Sequence, residues 1–275
     1  MKRIGGSILT SLKKIARITI VILALFIMIF SGSVFFRILH GYYTGDHSYE
    51  TLRDHVHVSD NSGSSMTAPD PSGAEDLNIE IPFPVVDFTS LQEINPDIVA
   101  WIQIPGTAID YPIVYGSDND YYLNHLIDGT PNRCGSIFLD CRSSADLSDR
   151  HTLIHGHNMG NGTMFQDLVL YKSQEFFNEH PFGYLLTPDE NYVIEFFAGS
   201  LLSQDSDVWQ LDFSGDSAFR RWIDSCLSSA RVTGSLTPSV GDQIVTLSTC
   251  SYEFYEARWV LQGLLRTRAK LMLTP

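Results

Sequence analysis

The run Thr246-Leu247-Ser248-Thr249-Cys250 carries an apolar, β-branched stretch into a cysteine, and Arg258 follows eight residues later. Far upstream stands His157, inside His155-Gly156-His157-Asn158-Met159. A thiol, an imidazole and a guanidinium are the groups that acyl transfer through a thioester needs. The thiolate attacks, a neighbouring cation stabilises it, and a fixed donor meets the developing oxyanion. A lone cysteine after a strand is more often a packing residue. Cys250, however, ends its strand-like run, which puts it at a rim, and Thr249 and Ser251 flank it with small polar groups. His157 closes another strand-like run, just before the loop Gly160-Asn161-Gly162. His155 lies two residues away, on the same face of that strand, and competes for the same role. The spacing His151-x-x-x-His155-x-His157 suggests zinc, but only Cys250 offers itself as a fourth ligand, and no metal or cofactor is expected. Arg258 alone would read as a surface charge. His155, Asn158, Thr249 and Ser251 are expected to shape the site or touch substrate.

The elements that must position these groups are mostly strands. Strand-like runs cover 98–104, 109–114, 136–140, 152–157, 192–198, 243–249 and 258–265. Pro112 predicts an edge or bulge position for the second of them. A helix is expected to start near Thr163, where Thr163-x-x-Gln166 has the form of a capping box. Another spans about 216–230, with Phe219, Trp222, Ile223, Cys226 and Leu227 on one face. Regular βαβ spacing is missing, so a mainly β fold with peripheral helices, a mixed barrel, is expected over a parallel sheet.

Residues 1–17 are basic, and residues 18–36 contain no charge. Nineteen helical residues span roughly 28 Å, close to the thickness of a bilayer's hydrocarbon core. The reading is a basic cytoplasmic tail (1–17), a transmembrane signal anchor (18–36), an extracellular stalk (37–82) and a catalytic domain (83–275), with the N-terminus inside because the basic flank precedes the span. Ser59 to Ala74 is rich in Ser, Gly, Pro and Asp and has little to bury. Six of the 18 basic residues and none of the 32 acidic ones fall in residues 1–37, which leaves a net charge of −20 for the rest. That field disfavours nucleic-acid binding. Cys134, Cys141 and Cys226 show no Cys-x-x-Cys spacing, and Cys226 falls on the helical apolar face.

Six segments, in this order, resemble the class B sortases, thiol transpeptidases of Gram-positive cell surfaces. They are Trp101 to Thr107, Ile109 to Val114, Asn119 to Leu123, Gly135 to Asp140, His155 to Met159 and Thr246 to Cys250. The resemblance covers roughly 83–268 and implies a closed β-barrel of about eight strands. It puts the family's catalytic histidine on His157, its cysteine on Cys250 and its arginine on Arg258. The segment between Ala198 and Gln243 resembles the helical insertion of class B. His155 stands where relatives commonly have Tyr, which adds a second imidazole near His157, and Ser251 stands where many have an acid. The implied activity cleaves a C-terminal sorting motif of exported proteins and passes the acyl group to a peptidoglycan or pilin amine. A hydrolytic cysteine peptidase and a non-catalytic binding module are the alternatives. Papain-like enzymes place cysteine before histidine, the reverse of the order here.

Overall fold

The computed structural model of the chain describes residues 4–58 and 83–267. The predicted linker Ser59 to Ala74, the first three residues of the basic tail and residues 268–275 lie outside the described residues. Two units are distinguished, Met1–Thr44 and Gly45–Pro275. The first contains most of helix α1 (Ile4–Arg53). Its uncharged segment leaves Ile20, Phe26, Ile29 and Phe36 exposed, as an apolar helix that could span a membrane would.

The second unit starts earlier than residue 83. Tyr49 and Leu52, in the last turns of α1, are buried. The Tyr49 hydroxyl donates to the Gly135 carbonyl at 2.7 Å, and its ring meets Tyr111 edge-on. Strand β1 (Val56–Val58) then pairs antiparallel with β2 (Pro84–Val86), ahead of α2 (Phe88–Ile94). This part of the unit was not legible in the sequence, because the polar run that follows Val58 dominates the local composition.

The barrel strands are β3 (Ile98–Gln103), β4 (Asp110–Tyr115), β5 (Ile137–Leu139), β6 (His151–His155), β7 (Phe182–Leu186), β8 (Asn191–Ser203), β10 (Ile244–Cys250) and β11 (Ala257–Thr267). Helix α3 (Gln174–Glu179) precedes β7, and α4 (Asp216–Ser229) leads to the short β9 (Val232–Thr233), which hangs on β8. The order β11-β10-β6-β5-β4-β3-β7-β8 closes through an antiparallel β11–β8 ladder. The expected eight-stranded closed barrel with peripheral helices is what forms. Closure removes the open sheet edges. Trp101, Ile102, Leu247, Trp259 and Leu261 are among its fully buried side chains.

Three local expectations changed. Strand β7 was not anticipated, since its run Phe182-Gly183-Tyr184 has no clean alternation. The helix near Thr163 is a 3₁₀ segment at Gln166–Lys172 with no side-chain cap, and the Thr163 hydroxyl instead donates to Asn161 Oδ1 at 2.8 Å. Pro112 sits in β4, between two partner strands, but β5 begins its pairing only at Ile113. The proline therefore occupies a rung paired on the β3 side alone. Helix α4 runs as expected and buries Phe219, Trp222, Ile223 and Cys226 against Phe197, Val260 and Leu264.

Candidate active site

Strands β6 and β10 run parallel, with Ser248 opposite His155, and a parallel pair needs a long crossover connection. Strands β10 and β11 are antiparallel, with Cys250 directly opposite Arg258. Their Cα atoms are about 4.5–5.5 Å apart by that pairing. Side chains at paired positions share a sheet face, and the face repeats every second residue. Phe138 and Asp140, His155 and His157, Ser248 and Cys250, and Arg258 therefore fall on one face. All seven line one cleft of about 430 Å³.

His157 lies two residues beyond the end of β6, and backbone contacts carry it on beside Cys250. Gly156 N–H donates to the Ser248 carbonyl (3.1 Å), and the Thr249 hydroxyl donates to the Gly156 carbonyl (2.9 Å). The Asn158 side-chain amide donates to the Cys250 carbonyl at 2.9 Å. The His157 carbonyl accepts from Phe165 N–H at 2.9 Å. His157 Nε2 donates to the Leu123 carbonyl at 2.7 Å, which fixes the ring. Arg258 donates to the Ala257 carbonyl and to Gln204 Oε1, both at 3.2 Å. Cys250 is a free, partly exposed thiol at the strand end.

The expected site residues thus divide. His155, His157, Cys250 and Arg258 meet in the cleft. Thr249 and Asn158 have their side chains on backbone carbonyls, so they hold the walls together. Ser251 is buried beside the cleft, where its hydroxyl accepts from Lys172 Nζ (2.9 Å) and donates to Glu253. Lys172 also pairs with Glu253, and these bonds hold that carboxyl down to about 2.

The cleft also contains groups the sequence did not single out. Asp140 is buried and takes a two-pronged contact from Arg142, Nε to Oδ1 at 2.8 Å and Nη2 to Oδ2 at 2.9 Å. His155 Nε2 reaches the same carboxylate at 3.0 Å. Burial alone would raise the Asp140 carboxyl, but the bonds from Arg142 and His155 outweigh it and hold it well below the usual carboxylate range. Strand parity from Phe138 could have flagged Asp140. Gln204 and Trp209 arrive from the segment after β8, which has no periodic signal.

The other thiols sit elsewhere. Burial pushes Cys134 and Cys226 each up to about 11, so they stay protonated near neutral pH. Among the described residues, no group of three or more His, Cys, Asp or Glu side chains could hold a metal ion.

No family model matches the chain. It is 36% identical over 184 residues to Sortase B of Listeria monocytogenes, covering 66% of this chain and 75% of that protein. It is 31% identical over 169 residues to Sortase B of Staphylococcus aureus, covering 62% of this chain and 69% of that one. Among solved structures, sortase B from Bacillus anthracis in complex with AAEK1 superposes with a TM-score of 0.68 at 32% identity, over 84% of this chain and all of that one. A Staphylococcus aureus sortase B–substrate complex gives 0.63 at 30% identity, over 66% and 85%.

Proposed function

The chain belongs to the sortase B family of cysteine transpeptidases, and from that premise we propose that it is a membrane-anchored enzyme acting through a thioester on Cys250. Its donor substrates are exported proteins bearing a C-terminal sorting motif, and its acceptor is an amine of peptidoglycan or pilin. Residues 18–36 anchor it, with the basic tail inside and the barrel outside. The observation that carries the reading is the shared cleft, in which Cys250 and Arg258 occupy one rung and His157 stands just past the end of the neighbouring strand β6.

The steps follow from those positions. The Cys250 thiolate attacks a backbone carbonyl of the sorting motif. The Arg258 guanidinium, steadied by Gln204 and the Ala257 carbonyl, donates to the oxyanion. A donor of this kind contributes about 10²–10³ in rate. His157 as imidazolium protonates the departing amine, and the thioester remains. An incoming amine then resolves it and restores the thiolate–imidazolium pair.

The test uses the full-length chain in detergent micelles with fluorogenic peptides of the Asn-Pro-x-Thr and Pro-x-Thr-Gly types. One class is cleaved, a mass shift on Cys250 marks the thioester, and Cys250→Ala abolishes both. If no peptide is cleaved, or if Cys250→Ala cleaves as fast as the parent, the assignment fails.

A further inference from the structure

Acyl transfer to a protonated amine has one proton too many for a single imidazole. After the first half-reaction His157 is neutral and the acyl group is on sulfur. An ammonium R′NH₃⁺ must lose two protons to become an amide nitrogen. The new C–N bond forms, the C–S bond breaks and the electron pair returns to sulfur. His157 takes one of the two protons, which restores the thiolate–imidazolium pair. The other needs a second acceptor beside the cleft.

His155 meets that need. Its ring lines the cleft and lies tilted against Phe138 at 5.2 Å. Nε2 donates to Asp140, so in the neutral ring Nδ1 carries the lone pair. Among the described residues Nδ1 makes no hydrogen bond. Asp140 is almost inaccessible, its carboxylate fixed by Arg142, so it stays charged and holds the imidazole in one tautomer. This is the orienting role a buried carboxylate plays beside a general base. His155 is opposite Ser248, and Cys250 lies two residues further along β10. Two steps along the strand and one strand spacing separate the His155 and Cys250 Cα atoms by about 8 Å. A nitrogen attacking the thioester carbonyl fits in that gap. The charged or titrating groups around His155 are Asp140, Arg142, His157, Cys250 and Arg258.

We propose that His155, oriented by Asp140, is a second catalytic base, which takes the extra proton of an ammonium acceptor in the aminolysis half-reaction. The inference rests on the thioester reading and adds the acceptor step to it. It also implies that this site favours acceptors that arrive charged.

The two half-reactions are timed separately by mass spectrometry on the full-length chain in micelles at pH 6.5. At that pH a glycyl peptide is mostly ammonium, whereas hydroxylamine is mostly uncharged. His155→Phe keeps a ring against Phe138, and His155→Gln keeps a polar group toward Asp140, but neither has a base. Both variants should still form the thioester and accumulate it. Aminolysis by the glycyl peptide should fall about 10²-fold, while hydroxylamine still releases the acyl group at the parental rate. Equal losses with both amines would mark a structural role and overturn the proposal, as would undiminished aminolysis by the glycyl peptide. A parent chain that forms no thioester at all sinks the function reading and this inference together, an outcome distinct from a selective loss in the variants.

Discussion

His151 is fully buried, with Nδ1 on the Gln210 carbonyl and Nε2 on the Thr246 hydroxyl, both at 2.8 Å, and its ring against Trp222. Burial pushes its imidazole down to about 4 from the ordinary 6.5. Between those values the folded chain keeps it neutral while the unfolded chain protonates it, so the unfolded state binds the extra proton and stability falls as pH drops through the window. The loss reaches about 3 kcal/mol by pH 4. His151→Gln removes the titration, so urea unfolding of that variant should show a shallower decline from pH 6.5 to 4 than the parent. A parallel decline would show that other groups carry it. His155 and His157 share the strand face and its extension with His151 but end in the cleft. One residue type therefore serves as a neutral core group in one place and lines an open cleft in another, according to what its two nitrogens meet.

The extension of β6 past His155 is the element on which the site depends. Gly156 sits between the two cleft histidines, and a Cβ there would approach the Phe165 ring to 2.7 Å. Phe165 is fully buried and cannot yield easily. Gly156→Ala should force the segment away from β10 and lengthen its bonds to Ser248 and Thr249. Overpacking of this kind costs about 1–3 kcal/mol. The expected result is a lower Tm together with at least about a tenfold loss of peptide cleavage. An alanine variant with parental rate and Tm would mean that the extension tolerates displacement. On the other side of Cys250, Lys172 ties the loop from Ser251 to Glu253 and lies 5.8 Å from the Trp259 ring. Ser251 directly follows Cys250, and Glu253 supplies a carboxylate two residues further on.

At the scale of the whole molecule, the compact unit needs the chain from Gly45 onward. The Tyr49 hydroxyl donates to the Gly135 carbonyl and lies 3.0 Å from Ser136 Oγ, and Leu52 is buried with it. Gly135 and Ser136 lead directly into β5, whose neighbour Asp140 holds His155. A chain begun at residue 83 loses a buried aromatic side chain, whose removal typically costs about 3–5 kcal/mol. Compared by thermal unfolding, it should melt well below a chain begun at residue 45, and equal Tm values would show that the helix end is dispensable. The −20 net charge outside residues 1–37 belongs to this scale too, because it repels anions and attracts cations at long range.

The sequence by itself determined the class of fold and pointed to the chemistry proposed for its cysteine. A cysteine at the end of a β-branched run, an arginine eight residues on and a histidine closing an earlier run could be found by type and spacing, because strand ends and periodicity are local properties. The uncharged 19-residue segment and the amphipathic face of α4 were legible for the same reason. Only the tertiary structure decided which side chains share the cleft, because register between strands nearly a hundred residues apart is set by barrel closure. That register put Asp140 beneath His155, turned Thr249 and Asn158 to backbone carbonyls, and drew Gln204 and Trp209 in from a segment with no period. It also recruited Tyr49 to the core, since a single buried tyrosine leaves no pattern in its own neighbourhood.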